Sequence, residues 1–155
     1  MEIQTELSNN FEFFMPLSFE KAKGKDDKVK MMIKGIASTS RSVDSDGETL
    51  YPNGFDLSYF MSNGFLNYHH QSSKTPKAIV GEPTVAKVIN KGLDLYIEGE
   101  LYEDSTLAKD IFEVSEMLEK SSSTRKLGLS IEGQATERDP DDEKKILKAK
   151  ITGCA

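Results

Sequence analysis

The chain has 155 residues and one cysteine, and carries 26 acidic against 20 basic side chains for a net charge of −6. That length suits a single domain burying about two thirds of its unfolded surface, and the lone Cys154 excludes an internal disulfide framework. The acidic balance argues against a nucleic-acid partner, no apolar run approaches the roughly 20 residues of a membrane span, and two adjacent histidines give no zinc-type ligand spacing. No metal, cofactor, nucleic acid or membrane is expected, and residues 1–7 lack the basic start of a signal peptide.

Residues 11–22 read as a strand, with Pro16 suggesting an edge or a bulge. After the polar turn at 23–27, residues 29–38 form a mostly apolar second strand, in which Gly35 marks a bulge or a close backbone approach, and the two strands should pair as a hairpin. Residues 39–54 are rich in Ser, Asp, Gly, Asn and Pro and predict a long loop of the kind that is often functional. A short helix is expected over 55–60. Leu66, Tyr68 and His70 then recur at period two, which in an extended strand puts them on one face with His69 on the other.

Residues 80–89 and 93–101 flank Asn90-Lys-Gly92, the clearest hairpin signal in the chain. Asp104 or Ser105 can cap the helix that follows. Leu107, Ile111, Val114, Met117 and Leu118 recur at three- and four-residue spacing and predict an amphipathic helix over 105–119, ended by the serine run at 121–124. Residues 125–137 read as a strand, 139–143 as a solvated turn and 145–154 as a last strand. The expected fold is mainly β within the α+β class: one domain, 1–155, built as an antiparallel β-barrel, closed or nearly so, with helices packed outside. The chain stops while still reading as strand, which predicts either a continuation beyond Ala155 or self-processing.

The chemistry is expected at Ser130, in Lys126-Leu-Gly-Leu-Ser-Ile-Glu-Gly133. A serine hydroxyl is a poor nucleophile until a base takes its proton, so this serine and the histidine locus sixty residues earlier together point to acyl transfer. Alternation puts Ser130 with Gly128 and Glu132, opposite Leu127, Leu129 and Ile131, and Gly128 leaves room for a substrate backbone. Taken alone, the serine reads first as a plain solvent-facing residue on a half-buried strand. Nor is the run the Gly-x-Ser-x-Gly elbow of α/β-hydrolases, because the second glycine falls three residues after the serine. His70, sharing a face with Leu66 and Tyr68, is the better general base, and His69 reads as exposed or as a neighbour of the site. Asp44, Asp46, Glu48 and Glu132 are candidates to orient a histidine, with nothing in the spacing to select among them. Asp44-Ser-Asp-Gly-Glu48 lacks the later ligands of a calcium loop.

Four stretches in this order carry a resemblance: Ile33-Lys-Gly-Ile-Ala-Ser38; Val43-Asp-Ser-Asp-Gly-Glu48 leading to Tyr51-Pro-Asn-Gly-Phe55; Phe65-Leu-Asn-Tyr-His-His-Gln71 followed by Ile79-Val-Gly81; and Leu127-Gly-Leu-Ser-Ile-Glu-Gly133. Over about residues 30–135 the sequence resembles the prohead maturation proteases of tailed bacteriophages and prophages, relatives of the herpesvirus assemblin proteases. The resemblance implies a herpesvirus-protease-like β-barrel flanked by helices and a serine endopeptidase, with Ser130 as nucleophile in the Gly-Leu-Ser-Ile position and His70 as base in the Asn-x-x-His position. In the herpesvirus relatives the third member is a histidine on the strand after the serine. Phage relatives often carry a glutamate near the end of that strand, where this chain has Gly153. The third role therefore stays open between a Ser–His dyad and a carboxylate from elsewhere, with Asp44 and Glu132 foremost.

The resemblance further implies that the enzyme cleaves scaffold protein, the scaffolding segment of the major capsid protein and itself, as a possible dimer, inside the immature capsid in the host cytoplasm. The competing readings are a catalytically inactive β-barrel scaffolding module that binds capsid protein, and an esterase using the same pair of residues.

Overall fold

The computed structural model describes residues 10–23, 29–44, 47–71, 74–121 and 124–155, with side chains from Lys30 onward. In chain order the elements are β1 (Asn10–Lys23), β2 (Val29–Thr39), β3 (Thr49–Leu50), β4 (Phe55–Asp56), α1 (Ser58–Asn63), β5 (Leu66–Asn67), β6 (Ile79–Ile89), β7 (Asp94–Leu101), α2 (Thr106–Lys120), β8 (Gly128–Arg138) and β9 (Lys145–Cys154). Short 3-10 turns at Pro52–Gly54 and Pro76–Ala78 each start on a proline, whose fixed φ suits a first helical position. No helix among the described residues is long and apolar enough to cross a membrane.

Among the described residues nine strands join one mixed sheet: eight follow the order β3-β9-β5-β6-β7-β2-β1-β8, with β8 pairing back to β9, and β4 pairs with β9 off that path. The expected architecture needs correction at its closure. The seam between β5 and β9 consists of one parallel bridge, Leu66 to Cys154, because β5 is only two residues long. The sheet is strongly wrapped but is not closed into a barrel. Nor is it wholly antiparallel: β3, β4 and β5 lie parallel to β9, at Lys145 and Ile146, at Ala149 and Lys150, and at Cys154 in turn.

Pro16 sits at no bulge and pairs on one side only, with β8. Residues 10–16 of β1 pair with β8 and residues 17–23 pair with β2, so the proline's missing N–H falls where one ladder hands over to the other. In the same way the irregularity expected at Gly35 falls one turn of the pleat later, between Ile36 and Ser38. The Asn90-Lys91-Gly92 turn has all three residues at positive φ, from 53° to 87°, as a tight β6–β7 hairpin requires. The first helix begins three residues later than expected, because Asp56 Oδ1 accepts from Ser58 N (3.0 Å) and Oγ (2.6 Å) and holds 55–56 extended. α2 starts as expected: Ser105 Oγ accepts from Ala108 N at 3.0 Å.

The core is built on Leu50, Phe60, Leu95, Ile97, Ile131, Ile146 and Ile151, all fully buried. In β9, Ile146 and Ala149 both face inward although an odd spacing separates them. The register shifts between β8 and β9 at 135–138 absorb that extra residue. Ala108 and Phe112 of α2 pack into the same core. The consequence for function is positional. The C-terminal end of β9, the N-terminal end of β8 and the exit of β5 meet in one place.

Candidate active site

β8 presents its residues alternately, with Leu129, Ile131 and Gly133 buried and Ser130 and Glu132 on the other, partly open face, as the sequence pattern requires. Ser130 is held by paired backbone bonds to Ala155, its N–H donating at 2.8 Å and its carbonyl accepting at 2.7 Å. Two residues further along, Glu132 stands directly opposite Gly153. A Cβ built on Gly153 would lie 3.0 Å from Glu132 Oε2, so the glycine leaves the carboxylate the room it occupies.

His70 arrives by a different route from the expected one. β5 ends at Asn67, and the chain turns back on itself, with Tyr68 N–H donating to the Ala78 carbonyl (2.7 Å) and Gln71 N–H to the Tyr68 carbonyl (3.0 Å). His69 and His70 both sit in the left-handed region, at φ 51° and 54°. Period-two alternation therefore does not apply past Asn67, and Tyr68 is exposed rather than sharing a buried face with Leu66. The turn nonetheless swings the His70 ring over β8. Its Nε2 lies 2.8 Å from Ser130 Oγ and its Nδ1 2.7 Å from Glu132 Oε1.

The protonation pattern follows from the partners. Burial pushes the Glu132 carboxyl up, but the hydrogen bonds from His70 and Asn67 and the charge of His70 more than offset it, leaving the group below its ordinary value of 4.5. An ionised carboxylate only accepts, so His70 Nδ1 carries the hydrogen, and Nε2 is the ring atom that faces the Ser130 hydroxyl and accepts from it when the ring acts as a base. Asn67 completes the arrangement by donating from Nδ2 to the same Glu132 oxygen (2.6 Å) and, more weakly, to the Cys154 carbonyl (3.4 Å). Both partners of that nitrogen are acceptors, which fixes the orientation of the amide. Its Oδ1 is buried without a partner among the described residues.

The remaining candidates lie elsewhere. Asp44 closes its own loop, its Oδ1 accepting from Glu48 N (2.8 Å) and its carbonyl from Gly47 N (3.1 Å). Glu48 is buried in an ion pair with Arg138 at 2.6 Å. This loop joins β3 at the Lys145 end of β9, nine residue steps or about 30 Å along the strand from Cys154. Asp46 falls outside the described residues. His69 is exposed, stacked at a tilt beside Tyr68, and its ring makes no hydrogen bond to Ser130, His70 or Glu132 among the described residues. Cys154 is fully buried below the site, where burial and the Glu132 charge push its thiol far up and out of reactivity. Among the described residues no group of three or more His, Cys, Asp or Glu is placed to hold a metal ion. Sequence reasoning missed Asn67, although the Asn-x-x-His spacing that pointed to His70 contains it.

A cavity of about 430 Å³ opens beside Ser130 and His70, with walls that are mostly aliphatic. Neither a family model nor a curated protein sequence matches the chain. A solved structure does: that of the bacteriophage T4 capsid assembly protease, gp21, with a TM-score of 0.59 over 96% of this chain and 95% of that one at 13% identity. The chain has a fold like that of gp21. At that identity the likeness speaks for the fold alone.

Proposed function

We propose that the protein is a serine endopeptidase of prohead maturation that cleaves capsid and scaffold proteins, and its own chain, by acyl-enzyme chemistry. One observation carries the reading: Ser130 Oγ, the His70 ring and the Glu132 carboxylate form an unbroken hydrogen-bonded line, with links of 2.8 and 2.7 Å, on a fold like that of gp21. His70 Nε2 takes the hydroxyl proton as Ser130 Oγ attacks a peptide carbonyl, and Glu132 stabilises the imidazolium that forms. His70 returns the proton to the leaving amine, and water enters by the same route to release the acyl group. The third role thus falls to Glu132, from the strand that carries the serine, and Gly153 is the complementary vacancy opposite it. The Ser130 N–H is spent on Ala155, so the donors that stabilise the oxyanion belong to other backbone.

The substrates are inferred to be the proteins of an immature phage or prophage capsid, met inside the prohead in the host cytoplasm. The test is intact-mass analysis of the protein co-expressed with its own scaffold and capsid proteins, wild type against Ser130→Ala. Fragments that vanish in the variant support the reading and give the cleavage sites. Identical masses in the two, with assembly proceeding, refute it and leave a scaffolding role.

A further inference from the structure

Glu132 is held by more than the histidine beside it. Its Oε1 accepts from two donors, His70 Nδ1 at 2.7 Å and Asn67 Nδ2 at 2.6 Å, while Oε2 lies 3.0 Å from where a Cβ on Gly153 would stand. A single hydrogen bond leaves a carboxylate free to swing about the bond that carries it, whereas two donors from different residues fix which oxygen faces the ring. Asn67 can do this because it is buried at the end of β5, and its Nδ2 also reaches the Cys154 carbonyl at 3.4 Å, so the amide is gripped between β8 and β9. The grip has a cost. Asn67 Oδ1 is buried with no partner among the described residues, and an unpaired buried acceptor is destabilising where an apolar side chain would not be. The asparagine is therefore explained by what its Nδ2 does and not by stability. The surroundings of Glu132 need such a donor: burial disfavours the ionised carboxylate, and β1 sets a second acidic residue, Glu12, in register beside it. The other titratable groups placed around it are His70, from the histidine turn, and the buried Cys154 of β9.

We propose that Asn67 is a positioning residue of the catalytic line: acting through Glu132, it pins Oε1 against His70 Nδ1 and keeps the carboxylate ionised while the histidine moves the proton. The proposal rests on the endopeptidase reading and adds a residue to its machinery. Asn67 has no hydrogen bond to Ser130 or to the His70 ring among the described residues, so its effect passes through Glu132. Its loss should fall on kcat and not on KM, and should disappear when Glu132 is absent.

The experiment is a double-mutant cycle on the full chain, read as kcat and KM on a peptide spanning a mapped cleavage site, together with an NMR titration of the Glu132 carboxyl carbon. Asn67→Ala should lower kcat about tenfold in the wild-type background at unchanged KM, and by less than about twofold in the Glu132→Ala background. The titration midpoint of Glu132, below the ordinary carboxyl value in the wild type, should rise in Asn67→Ala. Asn67→Asp keeps the size and shape of the side chain but sets a carboxylate oxygen where Nδ2 stands, 2.6 Å from Oε1. The two carboxylates must then share a proton, and kcat should fall by roughly 100-fold at neutral pH. The same tenfold loss in both backgrounds, a Glu132 midpoint that Asn67→Ala does not move, or an Asn67→Asp variant within about threefold of wild type overturns the positioning role and leaves the endopeptidase standing. Peptides cut equally by Ser130→Ala, or by no form of the protein, overturn the endopeptidase reading and the part of Asn67 in it. The titration needs no substrate and tells the two failures apart.

Discussion

Glu132→Gln separates the charge of the third residue from its shape. The amide oxygen can still accept from both His70 Nδ1 and Asn67 Nδ2, which now converge on Glu132 Oε1 at 2.7 and 2.6 Å, while its NH₂ takes the place of Oε2 above Gly153. The ring orientation survives, and what disappears is the attraction between the carboxylate and the imidazolium of the transition state. Unit charges about 4 Å apart interact by about 4 kcal/mol at an effective dielectric near 20. The side chains of His70 and Glu132 are 17% and 27% exposed, so solvent screening removes part of this, leaving about 2–3 kcal/mol, or roughly 100-fold in kcat. KM should stay nearly constant, since the interaction removed is the one that strengthens as His70 takes the Ser130 proton in the transition state. The assay is kcat and KM on a peptide spanning a mapped cleavage site. A Gln variant within threefold of wild type, while Ser130→Ala is dead, refutes the role given to Glu132.

The same variant has a stability signature. The Glu132 carboxyl is depressed in the folded chain, so between its folded value and 4.5 the unfolded state binds more protons and stability rises with pH. Wild type therefore loses an increment as pH falls below about 4.5 that the Gln variant never had. The Tm difference between them should be constant above that pH and narrow below it.

Gly153→Ala brings a Cβ to 3.0 Å from Glu132 Oε2 and must displace the carboxylate by a few tenths of an ångström; kcat should fall several-fold with Tm unchanged or slightly raised, and unchanged kcat would mean that the carboxylate position is not critical. Asn67→Ala deletes an anchor of Glu132 together with a buried, unpartnered oxygen, so the stability terms offset and the visible effect should be roughly a tenfold loss of kcat at nearly constant Tm. Arg138→Met strands the buried Glu48 carboxylate and should cost about 3 kcal/mol, or roughly 10 °C in Tm by calorimetry, while kcat at a temperature where the fold is intact stays at the wild-type level. His69→Gly relieves a non-glycine left-handed residue whose ring has no bond to the site; Tm should rise by a few degrees and kcat change by less than threefold, and a larger loss of activity would give His69 a part in the chemistry.

What could be read from the sequence is what depends on neighbours along the chain. β9 spans the expected residues, the β6–β7 hairpin follows from its turn, and α2 starts at one of the two expected caps, because alternation, positive-φ turns and capping are local chemistry. Ser130 on the open face of β8 was legible for the same reason. What escaped depends on partners far away in sequence. Nothing within 44–48 distinguishes those carboxylates from Glu132. The proposed choice of Glu132 rests on the β8–β9 register that sets it against Gly153 and on the 62-residue separation closed between His70 and Glu132. The missing closure of the barrel is of the same kind, since it depends on how little of β5 survives beside β9.

The histidine turn shows how the expected meeting of His70 with Ser130 comes about through a conformation other than the expected one. Alternation selected His70 by assuming an extended chain through residue 70, and in that conformation the ring would have followed the course of β5 along the sheet. Left-handed backbone at two successive non-glycine residues is costly, of order 1–3 kcal/mol each, and persists only where surrounding contacts over-determine it. Those contacts are present: the Tyr68 N–H to Ala78, the Gln71 N–H to Tyr68, the Gln71 side-chain amide to the His69 carbonyl, and the two ring bonds of His70 itself. Histidine is among the few residue types enriched in this region, which makes the His69-His70 pair an acceptable sequence for the turn as well as for the chemistry. The bend converts a strand running beside β9 into a ring lying across β8, and the line from Ser130 through His70 to Glu132 depends on it.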